Sequence, residues 1–220
     1  MEIKVVITGA TGMVGEGVLF ECLEHPDVKE VLLIGRKPYG MIHPKLKECI
    51  VPDFFKLDGL DDQLTGYDAC FYCAGISSLG MDEPTYTYIT YDTTLHFANK
   101  LLSLNPKMIF DFISGGQTDS SEKGKVMWAR VKGKTENALM RMPFERVYNF
   151  RPGFMKPKPG QKNIKGYYRV ISFLYPLLNL LFPKHGNTIG DLGLALINSV
   201  LKGYDKQILE TKDIKLLAKA

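Results

Sequence analysis

The chain has 220 residues, 45% of them hydrophobic and 24% charged, with a formal net charge of +4. That length favours one domain with a sizeable buried core, and the balance is that of an ordinary globular protein. Acids and bases are mixed along the sequence, which argues against a nucleic-acid binder: the nearest thing to a basic stripe, Lys156, Lys158, Lys162 and Lys165, reads as a solvated loop.

The first residues run into a short apolar stretch and then glycines, with no charged leader and cleavage site, so no signal peptide is expected. Ile3–Thr8 predicts a buried strand. Val14, Val18, Leu19, Cys22 and Leu23 then share one helical face until His25-Pro26 ends it. Residues 31–35, 48–51 and 68–73 predict the next three strands, the third strand of the chain ending at Pro52-Asp53. A longer helix follows Pro84, with Tyr88, Tyr91, Leu95, Ala98 and Leu102 at helical spacing. Residues 108–113 predict a fifth strand, 124–142 a helix and 146–150 a sixth strand. Alternation of this kind predicts an α/β fold, a doubly wound parallel sheet with right-handed crossovers and helices on both faces.

After Arg151-Pro152-Gly153 the pattern changes. Residues 156–165, rich in Pro, Gly and Lys, predict a loop. Helices are expected near 167–182 and 189–202, the second capped by Thr188 with Asp191 in its first turn. A last strand is expected at 207–210 and a terminal helix at 212–219. The apolar run at 167–183 carries Arg169, Pro176 and Asn179 and falls short of a membrane span. The expected organisation is a single domain over 1–220, in which the mainly helical part at 154–220 forms a cover on the substrate side.

Four cysteines, Cys22, Cys49, Cys70 and Cys73, read as buried reduced thiols of a cytoplasmic protein. Cys70 and Cys73 form C-x-x-C on a predicted strand, where positions three apart face opposite ways, and no second pair or nearby histidine completes a metal site. No metal is expected.

The strongest motif is Thr8-Gly9-Ala10-Thr11-Gly12-Met13-Val14-Gly15, directly after a strand and opening a helix. Gly9 would make the tight turn, Gly12 would admit a pyrophosphate close to the backbone, and Gly15 would let helix and strand pack closely. The helix N-terminus would present its free N–H groups and partial positive charge to the phosphates. The spacing is G-x-x-G-x-x-G, and its weight comes from its place in the chain. After the second strand, Gly35-Arg36-Lys37 has no acidic residue to accept from a ribose 2′-hydroxyl, whereas Arg36 and Lys37 suit a 2′-phosphate.

With these landmarks the chain resembles the atypical and extended branches of the short-chain dehydrogenase/reductase superfamily, with a Rossmann-type sheet. More narrowly, Val131-Lys132-Gly133-Lys134-Thr135-Glu136 followed by Phe150-Arg151-Pro152-Gly153 resembles its Tat-interacting oxidoreductase-like group. The resemblance implies that Asp53 contacts the adenine and that Ala74 and Gly75 lie near the cofactor. It implies that Ser114 is the catalytic serine, that Lys132 is the catalytic, ribose-binding lysine, and that Pro152 and Gly153 lie near the nicotinamide. Met13 and Val14 complete the cofactor loop. One position departs from the pattern: Trp128 stands where the family carries the tyrosine of Y-x-x-x-K, and an indole N–H does not release its proton near neutral pH.

The resulting expectation is an NADP(H)-preferring oxidoreductase or epimerase-like enzyme acting on an unknown small substrate, with NAD(H) as the second cofactor candidate. The alternative is a non-catalytic NADP(H)-binding regulator or sensor, because of Trp128. No nucleic-acid partner and no transmembrane segment are expected, and a homo-oligomer is left open.

Overall fold

The computed structural model describes residues 2–164, 175 and 186–220. β1 (Ile3–Thr8) sits inside a seven-stranded sheet and is buried along nearly its whole length. Its β-branched run suits that place, since a strand covered on both faces needs apolar side chains on both. β2 (Val28–Gly35) and β3 (Leu46–Ile50) lie to one side of it. β4 (Ala69–Tyr72), β5 (Ile109–Ile113), β6 (Arg146–Arg151) and β9 (Ile208–Glu210) lie to the other.

The order is β3-β2-β1-β4-β5-β6-β9, and every pair is parallel. The strand order therefore reverses between β1 and β4, the switch point at which doubly wound sheets open a crevice at their carboxyl ends. The expected parallel sheet is present in full.

Pleating divides the core. Val5, Ile7, Leu33 and Phe71 pack with α1 (Met13–Glu24), α6 (Ile189–Leu201) and α7 (Thr211–Leu217) on one face. Val6, Leu32, Cys70, Phe110 and Phe112 pack on the other, against α2 (Asp61–Leu64), α4 (Thr93–Leu104) and α5 (Met127–Met140). Each fully buried aromatic of the Phe71 kind stabilises the fold by roughly 1.5–3 kcal/mol.

The helix expected after Pro84 is interrupted. α3 (Glu83–Thr87), capped by Asp82 accepting from Thr85 N at 2.8 Å, passes through a five-residue π-helical segment, Tyr88–Asp92, into α4. The Thr93 hydroxyl donates to Tyr88 O five residues back at 2.9 Å, and Thr94 donates to Thr90 O at 2.6 Å, satisfying carbonyls in the widened turn. Such insertions occur often at functional sites. α5 starts later than its apolar pattern suggests, because Asp119 accepts from Ser121 N at 3.0 Å and Gly124 N at 2.6 Å and closes that stretch as a loop.

Thr188 caps α6 as expected, accepting from Asp191 N at 2.9 Å, and the Asp191 carboxylate returns the bond by accepting from Thr188 N at 3.1 Å. A second, two-stranded parallel sheet pairs β7 (Phe154–Lys156) with β8 (Gly186–Thr188), and β7 takes the first residue of the predicted loop. Three-residue strands carry no readable period. The helix expected near 167–182 lies outside the described residues except for Tyr175, whose ring packs edge-on against Phe154 with centroids 5.8 Å apart. No helix among the described residues is long and apolar enough to cross a membrane.

Candidate functional site

The glycine loop leaves the carboxyl end of β1 at the switch point. Thr8 Oγ1 accepts from Ala74 N at 3.1 Å and so ties the ends of β1 and β4 together. Gly9 turns the chain with φ +76°, and a Cβ there would lie 2.6 Å from Ala74 N. A Cβ on Gly15 would lie 2.4 Å from Gly9 O, so α1 can close onto the loop only without one. Both glycines are demanded by the protein's own packing.

Gly12 differs. Its φ is −109°, a region open to any residue. A Cβ there would meet only Gly9 O, at 3.4 Å, an ordinary contact. Gly12 and Thr11 are exposed, and Gly12 offers no side-chain cap to α1, so the first-turn N–H groups of Met13, Val14 and Gly15 have no cap from it. Of the three glycines of this loop, Gly12 is the one that internal packing does not require, and it faces outward beside those groups.

A cleft of about 520 Å³ opens at this point, across the carboxyl ends of β2, β1 and β4. It gathers Gly9, Thr11, Gly12, Arg36, Lys37, Asp53, Ala74 and Gly75, eight of the residues singled out from the sequence. Arg36 and Lys37 are exposed, and among the described residues neither has a hydrogen-bond or ion-pair partner. Asp53 Oδ1 accepts from Phe55 N at 2.9 Å, which turns Phe55 into the cleft wall. There Phe55 stacks on Tyr88 of the π-helical segment, with centroids 5.1 Å apart and planes 14° apart.

Tyr39 and Glu48 also line the cleft, and neither was anticipated. Glu48 lies on the edge strand, with its carboxylate accepting from Tyr39 N at 2.9 Å and Gly40 N at 3.2 Å. A charged residue opening the strand predicted at 48–51 was the available signal, but its partners come from a loop that carries no pattern.

Ser114, Pro152 and Gly153 sit further along the same edge, just past the ends of β5 and β6, and Lys132 reaches them from the second turn of α5. Ser114 N donates to Phe150 O at 2.9 Å and Gly116 N to Pro152 O at 2.8 Å, extending the pairing of β5 and β6. The Ser114 side chain is buried, and Oγ lies 2.5 Å from Glu136 Oε1 and 3.1 Å from Phe150 O. Glu136, fully buried, is ion-paired to Arg151, whose Nε donates to Oε1 at 3.0 Å. Arg151 also reaches Ser120 Oγ at 2.5 Å and Glu210 at 3.2 Å.

Lys132 Nζ donates to Ser114 O and, at 3.3 Å, to Ile113 O. Burial lowers its pKa to about 8, against a smaller opposing pull from Glu136. Trp128, one helical turn before Lys132, is half-buried with its ring beside Gly115.

From Arg36, just past β2, to Pro152, just past β6, the site spans four strand intervals, roughly 19 Å at the usual strand spacing. Of the two tyrosines near α3, Tyr86 is buried with its phenol pKa pushed up by that burial, and Tyr88 belongs to the cleft wall. Cys70 is buried between the sheet and the α2–α4–α5 layer. Cys73 packs toward the opposite layer, and burial pushes both thiols up.

No family model matches the chain. It is similar to the protein HTATIP2 of Rattus norvegicus, 27% identical over 166 residues, which cover 72% of this chain and 67% of that protein. Among solved structures it is similar to the Bordetella bronchiseptica enzyme WbmF in complex with NAD+, at TM-score 0.67 and 15% identity, covering 99% of this chain and 77% of that one. The Helicobacter pylori ADP-L-glycero-D-manno-heptose-6-epimerase superposes at TM-score 0.67 and 14% identity, covering 99% and 81%.

Proposed function

We propose that this chain, which is similar to HTATIP2 and shares the fold of WbmF and of the heptose epimerase, is a member of the atypical branch of the short-chain dehydrogenase/reductase superfamily and binds a nicotinamide dinucleotide along the carboxyl edge of its sheet, NADP(H) in preference to NAD(H). Gly12 is the observation that carries this reading. It is a glycine without an internal reason, at an outward-facing helix start, which is where a pyrophosphate needs room to approach the backbone.

Met13, Val14 and Gly15 would hold the pyrophosphate by their N–H groups. Ala74 and Gly75 would flank it, Asp53 and the Phe55–Tyr88 pair would bound the adenine, and Arg36 and Lys37 would meet a 2′-phosphate. The WbmF structure holds NAD+, which supports the cofactor class.

The chemistry that follows from this reading is oxidoreductase or epimerase-like, on a small carbonyl or alcohol. When bound, the nicotinamide supplies or accepts the hydride. The protein's part is to hold the reacting groups and to handle a proton. Trp128 cannot release one near neutrality. Lys132, with its pKa lowered to about 8, is the group at the β5–β6 end able to exchange one near neutral pH. Pro152 and Gly153 bound the nicotinamide end. The stretch from Phe154 to Ile164 runs back over the first turns of α1 as the described start of the substrate-side cover.

A second reading, a cofactor-binding regulator without turnover, is favoured by one observation: the Ser114 hydroxyl lies 2.5 Å from the Glu136 carboxylate. A serine that donates there does not donate to a substrate oxygen. Loss of NADPH absorbance across a panel of aldehydes, ketones and quinones separates the two readings.

The binding claim itself is tested with Gly12→Ala. The fold should be unaffected, with a Tm within a few degrees of the parent, while NADPH affinity falls at least tenfold, about 1.4 kcal/mol. Unchanged affinity would remove the pyrophosphate from this loop.

A further inference from the structure

Glu16 lies on the first turn of α1 and is fully buried. A buried carboxylate is costly unless its oxygens are satisfied. No lysine or arginine ion pair is recorded for it among the described residues. Its partners are neutral donors from two distant parts of the chain. The Tyr39 hydroxyl donates to Oε1 at 2.9 Å. Asn163 donates from Nδ2 to the same oxygen at 2.9 Å and from its backbone N to Oε2 at 2.8 Å.

Each donor belongs to a separate piece of the candidate site. Tyr39 ends the loop that carries Arg36 and Lys37, and Glu48 fixes the backbone of that loop. Asn163 ends a strap across α1. Along that strap Lys158 pairs with Glu21 and Glu24, Lys158 N donates to Gln161 Oε1 at 2.6 Å, and Gln161 Nε2 donates to Met13 O at 2.5 Å. The phosphate-side loop and the strap therefore meet on one carboxylate, and Tyr39 and Asn163 share one oxygen of it.

We propose that Glu16 couples the 36–40 loop to the 158–163 strap, so that a 2′-phosphorylated adenosine ligand at Arg36 and Lys37 tightens the strap over the first turn of α1. This rests on the cofactor reading above and adds to it a regulation of the cover by the adenosine end of the ligand. A ligand that orders Tyr39 fixes the orientation of the carboxylate. Asn163 then meets an acceptor that has less freedom left to lose. The coupling is reciprocal: whatever loosens the strap must weaken the ligand by the same factor.

The probe is adenosine 2′,5′-bisphosphate, which lacks the nicotinamide, with 5′-AMP as the control lacking the 2′-phosphate. Binding is followed by calorimetry, and hydrogen exchange is followed at the amides of residues 158–163 in the whole chain. Saturating bisphosphate should slow exchange at Asn163 on the order of fivefold, the lower range of such couplings, and 5′-AMP should slow it less. Tyr39→Phe, which keeps the ring and loses the hydroxyl, should bind the bisphosphate more weakly by the coupling factor and, at saturation, lose the slowing. Asn163→Ala, which lies outside the cleft lining, should weaken the bisphosphate by the same factor. Bisphosphate that binds the parent without slowing the strap, or slowing that persists in Tyr39→Phe, overturns the coupling alone. A parent that does not bind the bisphosphate overturns the cofactor reading and the coupling with it.

Discussion

Ser114 Oγ and Glu136 Oε1 are 2.5 Å apart, and the same buried carboxylate carries the Arg151 ion pair. The serine at the end of β5 is thus joined to a polar hub linking α5, β6 and the loop at Ser120. Removing one member of a buried ion pair leaves the other charge uncompensated and costs about 3–5 kcal/mol. Glu136→Ala should show that loss by urea denaturation, because Glu210 at 3.2 Å is an exposed and inferior substitute partner for Arg151. Ser114→Ala should cost less, about 1.5–3 kcal/mol, the worth of one hydrogen bond to a charged acceptor, because Glu136 Oε1 keeps its bond from Arg151 Nε. Equal costs for the two variants would show that Arg151 does not depend on Glu136.

Lys132 makes a prediction in pH. Burial holds its folded pKa at about 8, against an ordinary value of 10.5. Between those values the unfolded chain binds the proton and the folded chain does not, so this group makes the fold more stable as pH rises. The stability of the parent relative to Lys132→Met should therefore be flat below about pH 7 and climb toward pH 10.5, by up to about 1.4 kcal/mol per pH unit. Comparing parent with variant cancels the tyrosines, which titrate over the same range. A difference that falls with pH would place the Lys132 ammonium in a stabilising ion pair instead.

Asp111 has the opposite sign. It is fully buried on β5, where Oδ2 accepts from Ser199 Oγ at 2.7 Å and Oδ1 has no partner among the described residues. Burial pushes its carboxyl well above the usual range, the Ser199 bond opposing only in part. Its contribution to stability is full below the unfolded pKa, near 4, and is lost as pH rises toward the folded one. Asp111→Asn should match the parent at pH 3.5 and exceed it at pH 7 in chemical denaturation. A variant less stable than the parent at pH 7 would mean that Asp111 is ionised in the fold.

The sheet was legible because its strands are short apolar runs separated by helical periods, and β1, buried on both faces, was delimited to the residue. The glycine loop was legible because Gly9 and Gly15 have local steric reasons that sequence position reveals. Glu16, Tyr39 and Asn163 were not. They converge from a helix turn and two irregular segments, each of which looks solvated in isolation, and the burial that gives Glu16 its meaning exists only after those segments have packed. The π-helical segment at Tyr88–Asp92 was hidden for a related reason: one extra residue in a turn shifts the periodicity too little to see within a single helix. The side-chain direction of Ser114 was also beyond the sequence, since Arg151 comes near it through the pairing of β5 with β6 and Glu136 through the packing of α5 on the sheet.

Arg36 bears most directly on the central claim. It is an exposed guanidinium without a partner among the described residues, on the lip of the cleft, where no acidic residue follows β2 to accept from a ribose hydroxyl. Calorimetric titration of the parent and of Arg36→Ala with NADP(H) and NAD(H) tests whether it meets a 2′-phosphate. The parent should favour NADP(H) by about 1–3 kcal/mol, the scale of a charge-assisted hydrogen bond. The preference should shrink at high salt and should largely disappear in Arg36→Ala. Equal affinities for the two cofactors in the parent, or a ratio unchanged in the variant, would contradict the account.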